Sequence, residues 1–198
     1  MRSFIIRFMC GILLLSGAAL QAQTKKYGVR SGKITFEDRA DLGGFEVLKK
    51  AVVTFDDFGL KERRDTYDES GILTESFFCD GENLYLYIPS ENTVYRHGKA
   101  FRGTEYKVGW EELPADDKAS GVFKKRGNVT VAGKDCESYE HITSAGTTVF
   151  AGWSGVCLLV DVHQQGMRVT TRAAAFEENI PVPAETFRIP AGAAVKTD

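Results

Sequence analysis

The chain is poor in the residues from which most active sites are assembled. Its 198 residues include three His, four Cys, three Met and two Trp. His97, His141 and His163 show none of the HxH, HxxxH or HExxH spacings that bring two imidazoles onto one ion, so no metal site is expected. There is no CxxC, which removes thioredoxin-like redox chemistry. Neither sign of charge dominates: 25 Lys and Arg stand against 27 Asp and Glu, for a net charge of −2. Nucleic-acid binding needs clustered positive charge and is excluded. At 43% hydrophobic residues the protein is also too apolar for disorder. No apolar run reaches the roughly 20 residues of a membrane-spanning helix.

Three local patterns come close to catalytic or phosphate-binding motifs and fail on geometry. Gly28-Val29-Arg30-Ser31-Gly32-Lys33 has one residue too few between its glycines for a P-loop, and a strand rather than a helix follows. Gly152-Trp153-Ser154-Gly155 is one residue short of G-x-S-x-G and joins two strand-like runs, so it reads as a hairpin turn. Asp56 with Asp57, and Glu111 with Glu112, could supply paired carboxylates, but pairs in turns are solvated. Asn128-Val129-Thr130 fits the glycosylation triplet without further support. The expectation is a protein that is not an enzyme and needs no cofactor.

What is present begins with a leader. Arg2 and Arg7 precede an uncharged apolar stretch over 8–20, and Ala22 offers a small residue for cleavage. This predicts a secretory signal peptide over 1–22, leaving a single domain over 23–198 that works in the periplasm. Cys10 lies inside the apolar stretch rather than at the cleavage point, so no lipid anchor is expected. Removing Arg2 and Arg7 takes the net charge from −2 to −4, which favours solubility. Cys79, Cys136 and Cys157 then remain. Export permits a disulfide, and Cys136 with Cys157 is the first pair to consider; three small buried thiols is the other reading.

Period-two alternation recurs along the mature chain, as in Lys33-Ile34-Thr35-Phe36-Glu37 and Ala51-Val52-Val53-Thr54-Phe55. The charged stretch 60–68 fits an exposed strand between turns. Asp80-Gly81 is a hairpin signal. After it Leu84, Leu86 and Ile88 share one face while Tyr85 and Tyr87 share the other. The pattern lapses over 98–126, where a short helix near Trp110 is the one helical candidate. Near the C-terminus Met167, Val169, Thr171 and Ala173 share one face, with Arg168, Thr170 and Arg172 on the other. About nine or ten strands at roughly ten-residue spacing predict an all-β sheet, sandwich or barrel. Its many aromatic residues are either core filling or the walls of an apolar cleft.

The run from Phe78-Cys79-Asp80-Gly81 through Leu84-Tyr85-Leu86-Tyr87-Ile88-Pro89 to Asn92-Thr93-Val94-Tyr95 resembles the lipoprotein-localisation carriers, the LolA/LolB-like superfamily. Val131-Ala132-Gly133-Lys134-Asp135-Cys136-Glu137-Ser138-Tyr139-Glu140 is similar to the segment that precedes that superfamily's closing hairpins, and Thr148-Val149-Phe150-Ala151-Gly152-Trp153 followed by Gly155-Val156-Cys157-Leu158 to its strand pair of tryptophan, turn and Gly-x-x-Leu. The resemblance covers about 45–190. It implies a curved antiparallel sheet, a half-barrel or incomplete barrel, whose concave face shields a lipid, an acyl chain or another hydrophobic small molecule from water. On this reading the cleft is lined by Phe36, Val53, Phe55, Phe78, Leu84, Leu86, Trp110, Leu158, Val160, Met167 and Val169. The alternative is an envelope protein that docks a partner protein through a sheet edge or the Tyr85 and Tyr87 face.

Overall fold

A computed structural model describes residues 25–100, 113 and 115–197. The leader expected over 1–22, with Cys10, and Trp110 lie outside the described residues. The strands are β1 (Gly32–Asp41), β2 (Glu46–Asp56), β3 (Lys61–Tyr67), β4 (Leu73–Cys79), β5 (Asn83–Ile88) and β6 (Thr93–Lys99). A one-turn helix α1 (Ala115–Ala119) precedes β7 (Phe123–Val131), β8 (Lys134–Thr143), β9 (Gly146–Trp153), β10 (Val156–Gln164), β11 (Met167–Glu178) and β12 (Ala194–Thr197). All twelve form one sheet in the order β12-β6-β5-β4-β3-β2-β1-β11-β10-β9-β8-β7. The architecture is therefore all-β and open, as expected. Two meanders, β1–β6 and β7–β11, join where β1 pairs antiparallel with β11. Only β12 runs parallel to its neighbour, β6.

The strands follow from the alternation, with three differences from the sequence reading. The basic start of β7 is a strand because Lys125 and Arg126 face Glu137 and Glu140 of β8 in ion pairs of 3.0 and 3.4 Å. Its outward edge is the kind that charge protects from further pairing. β12 is four exposed residues and carries no pattern to read. β2 begins at Glu46 rather than near Ala51, because the β1–β2 hairpin runs on to a two-residue turn. Gly43 and Gly44 close that turn at φ of 78° and 99°, which β-carbon-bearing residues rarely adopt. Asp41 Oδ1 accepts from both glycine N–H groups, at 3.1 and 3.0 Å.

One hydrogen bond reports the curvature. Arg172 on β11 donates to the Thr130 carbonyl of β7 at 3.1 Å, although three strands separate β11 from β7 in the sheet order. Strands are spaced about 4.8 Å apart, so a flat sheet puts these residues well beyond an arginine's reach. The sheet thus curls about the face that carries Arg172. Irregular register between Cys157 and Leu159, and between Lys125 and Gly127, bends the strands in this half.

The main core gathers Ile34, Phe36, Ala51, Val53, Phe55, Leu158 and Ala173 with Tyr27 and Val29 of the incoming segment. That segment is tied down by Tyr27 N–H to Phe58 O at 2.9 Å and Gly28 N–H to Ser154 O at 2.8 Å. A smaller cluster of Phe78, Tyr85 and Val94 lies on the curled face near β6, with Ala193 of the C-terminal segment packed on it.

The disulfide reading is corrected. Cys79, Cys136 and Cys157 are all free thiols. Cys136 is on β8 and Cys157 on β10, with β9 between them. Two strand spacings, roughly 9–10 Å, exceed the Cα separation of about 7 Å that a disulfide can bridge.

Candidate functional site

Strand register builds the site. Directly paired residues share a face, so β1 places Glu37 between Lys50 of β2 and Arg172 of β11. Lys50 is in turn opposite Tyr67 of β3. Tyr67, Lys50, Glu37 and Arg172 therefore form one row across four strands on the curled face. The next row towards the hairpin end is Leu48, Arg39 and Thr170, and the row behind is Asp65, Val52 and Thr35. Over these rows lies a cavity of about 1140 Å³ whose walls reach Asp68, Glu69 and Gly71 of the β3–β4 turn and Arg168 of β11. Small-molecule pockets commonly span about 300–1,000 Å³, so there is room for a ligand larger than a typical metabolite.

The lining is charged, with five basic and five acidic residues, and half of these are held in ion pairs or turns. Arg39 pairs with Glu46 at 2.9 Å and Asp38 with Arg64 at 2.6 Å. Asp68 Oδ1 accepts from the Ser70 and Ile72 N–H groups at 2.9 and 2.8 Å, as Asp41 does within its own turn. Among the described residues Lys50, Glu37 and Arg172, like Lys49 and Glu69 of the same lining, are in no ion pair, and Arg172 keeps its bond to the Thr130 carbonyl. Burial, followed by the Asp65 carboxylate, pushes the Tyr67 phenol up, so it stays a neutral donor.

Beside the cavity, Arg168 grips Asp161 of β10 through Nε at 3.0 Å and Nη2 at 2.8 Å, and Thr170 Oγ1 adds a bond of 2.9 Å. The Arg168 bonds, against the opposing pull of burial, hold the Asp161 carboxyl down at about 2. A carboxylate depressed in the folded state contributes stability that is complete above its unfolded value of about 3.9. That contribution is lost as the pH falls through about 2. Asp161→Asn is expected to remove this share of the acid sensitivity. Thermal melting from about pH 5 down to about pH 2 checks it: the gap between wild type and variant should close as acid is added. A gap that stays constant overturns the assignment.

The eleven residues read from the sequence as a cleft are placed as follows. Register and alternation put Phe36, Val53, Phe55, Leu84, Leu86, Val160, Met167 and Val169 together on one face, the face opposite the cavity, while Leu158 falls within the irregular register of β10. Phe36, Val53 and Phe55 are buried there, Leu84, Leu86 and Val160 are half-buried, and Met167 and Val169 are exposed; Leu158 is buried at its irregularity. Phe78 is on the curled face but buried beneath Tyr85. None of these ten lines the cavity. Of the alternative docking surface, Tyr85 is buried and donates to Asp80 at 3.0 Å, leaving only Tyr87 partly open. The residues missed by sequence reasoning are Tyr67, Lys50, Glu37 and Arg172. A signal for one of them existed, in the alternation that set Arg168, Thr170 and Arg172 apart from Met167 and Val169.

His97, His141 and His163 sit on β6, β8 and β10, and His141 stacks on Phe123 with ring centroids 4.4 Å apart. Among the described residues no group of three or more His, Cys, Asp or Glu is placed to hold a metal ion. Nor is any helix among them long and apolar enough to cross a membrane.

No protein-family model matches the sequence, and no curated protein matches it. Solved structures do match. An uncharacterized conserved protein from Thermus thermophilus is 10% identical with a TM-score of 0.57, covering 86% of this chain and 91% of that one. This likeness shows a shared fold. MucB, in its complex with MucA(peri), is 12% identical with a TM-score of 0.47 over 85% of this chain and 57% of that one. A LolA superfamily protein from Nitrosomonas europaea is 12% identical with a TM-score of 0.41 over 85% of this chain and 96% of that one.

Proposed function

We propose that the protein is a non-enzymatic binding or carrier protein of the periplasm that holds one lipid-like amphiphile on the curled face of its sheet. The observation that carries this reading is the cavity of about 1140 Å³ between β11 and β3. Its walls combine apolar surface from Leu48 and Val52 with the hydrocarbon stems of Lys50 and Arg39, whose charged ends can stay in water. The polar part of the guest meets the charged row. Its apolar part runs along Leu48 and Val52 of the cavity wall. Burial there is favourable by roughly 25 cal/mol per Å² of apolar area.

Native mass spectrometry of protein released from the periplasm without detergent tests this. A lipid-sized adduct that disappears on organic extraction is expected. Bare protein that also fails to take up a fluorescent fatty acid overturns the reading.

A further inference from the structure

The charged row has a polarity that chooses among amphiphiles. Lys50 and Arg172 stand on either side of Glu37, one strand away in each direction, and Tyr67 extends the row beyond Lys50. Most other charges of the cavity already have partners: Arg39 has Glu46, Arg168 has Asp161, Asp38 has Arg64, and Asp41 and Asp68 have their own turns. A purely anionic guest at this row meets the Glu37 carboxylate, and a purely cationic one meets Lys50 and Arg172. A headgroup carrying both charges can answer Glu37 and one of its cationic neighbours at once.

We infer that the cavity selects zwitterionic headgroups, taking a phosphate at Lys50 or Arg172 and the attached ammonium at Glu37, one strand away from either. The inference rests on the amphiphile reading above and names its ligand class. Phosphate oxygens accept well from guanidinium and ammonium donors, and a quaternary or primary ammonium is attracted by a carboxylate. Row spacing suits this. Neighbouring strands are about 4.8 Å apart, comparable to the span of a short phosphate–ammonium dipole.

The test uses three probes with the same twelve-carbon tail, below their micelle concentrations: dodecylphosphocholine, dodecyl phosphate and dodecyltrimethylammonium. Binding to the whole protein is measured by calorimetry at low and at moderate salt. Dodecylphosphocholine is expected to bind about tenfold tighter than either singly charged probe, the scale of one or two exposed charge pairs. Glu37→Gln should erase the preference over dodecyl phosphate while retaining the phosphate contact. Lys50→Gln with Arg172→Gln should erase the preference over dodecyltrimethylammonium. All three side chains are exposed, so the fold is expected to survive, and circular dichroism checks that it does. Equal binding of all three probes, or preferences unmoved by these substitutions, overturns the inference while leaving an amphiphile carrier standing. Failure of every probe to bind brings down the carrier reading itself.

Discussion

Phe55→Ala is expected to destabilise the protein by about 3–5 kcal/mol, the range for deleting a large ring from a packed interior. Phe55 is fully buried. Its ring meets Tyr27 edge-on at 4.8 Å between centroids and lies 6.3 Å from Phe176. It therefore joins the incoming segment, β2 and β11 at a single point. Loss of the ring also loosens Tyr27, whose hydroxyl donates to Glu62 at 2.5 Å and whose neighbour Lys26 pairs with the same carboxylate at 2.8 Å. Urea unfolding followed by fluorescence measures the effect. A loss below about 1 kcal/mol means that the surrounding side chains collapse into the space, and that this junction is not where the two meanders are locked together.

Arg63→Ala is expected to be the second most damaging single change, at about 2–4 kcal/mol for removing one member of a largely buried ion pair. Arg63 donates through Nε to Asp65 at 2.8 Å, through Nη2 to Ser76 Oγ at 2.9 Å, and through Nη1 to the Thr186 carbonyl at 3.3 Å. Ser76 in turn donates to Asp65. The guanidinium also lies over the Phe78 ring at 5.4 Å. Without it the Asp65 carboxylate keeps only Ser76, and the 3-10 turn over Ala184–Phe187 loses its link to β3. Two readouts separate these consequences. Chemical denaturation reports the stability change, and limited proteolysis should cut the segment that follows β11 much faster than in wild type. Wild-type resistance to the protease shows instead that Phe187, buried on its own account, holds the C-terminal segment.

Much of the architecture could be read from the sequence alone. Alternation marked β1 and the inner half of β2, and turn chemistry marked Asp80-Gly81 between β4 and β5. The charged stretch over 60–68 read correctly as a strand, and its charges are there because Arg63, Asp65 and Arg64 have partners across the sheet. The site was legible only in part. Alternation says that the two faces of a strand differ, and it assembled eight apolar residues onto a common face. It does not say towards which face the sheet curls. That is decided by irregular register within strands and by the pairing of β1 with β11, residues more than a hundred positions apart. A search biased to large apolar side chains therefore found one face, and the curvature placed the cavity on the other. Tyr67, Lys50 and Glu37 looked like ordinary solvated residues until three separate strands brought them into line.

The long β1–β2 hairpin has a mechanical corollary. β2 is paired with β3 only as far as Lys50, opposite Tyr67, whereas β1 remains paired with β11 out to Asp41, opposite Arg168. From Glu46 to Lys49 the ribbon is braced along one margin and unsupported along the other. The tip is tied by the Asp41 carboxylate, which accepts from both glycine N–H groups, so bending of the ribbon falls at Lys50, where pairing with β3 ends. Lys50 contributes to the charged row and Leu48 to the wall above it. Flexing at that root alters the width of the entrance and the spacing of the charges together.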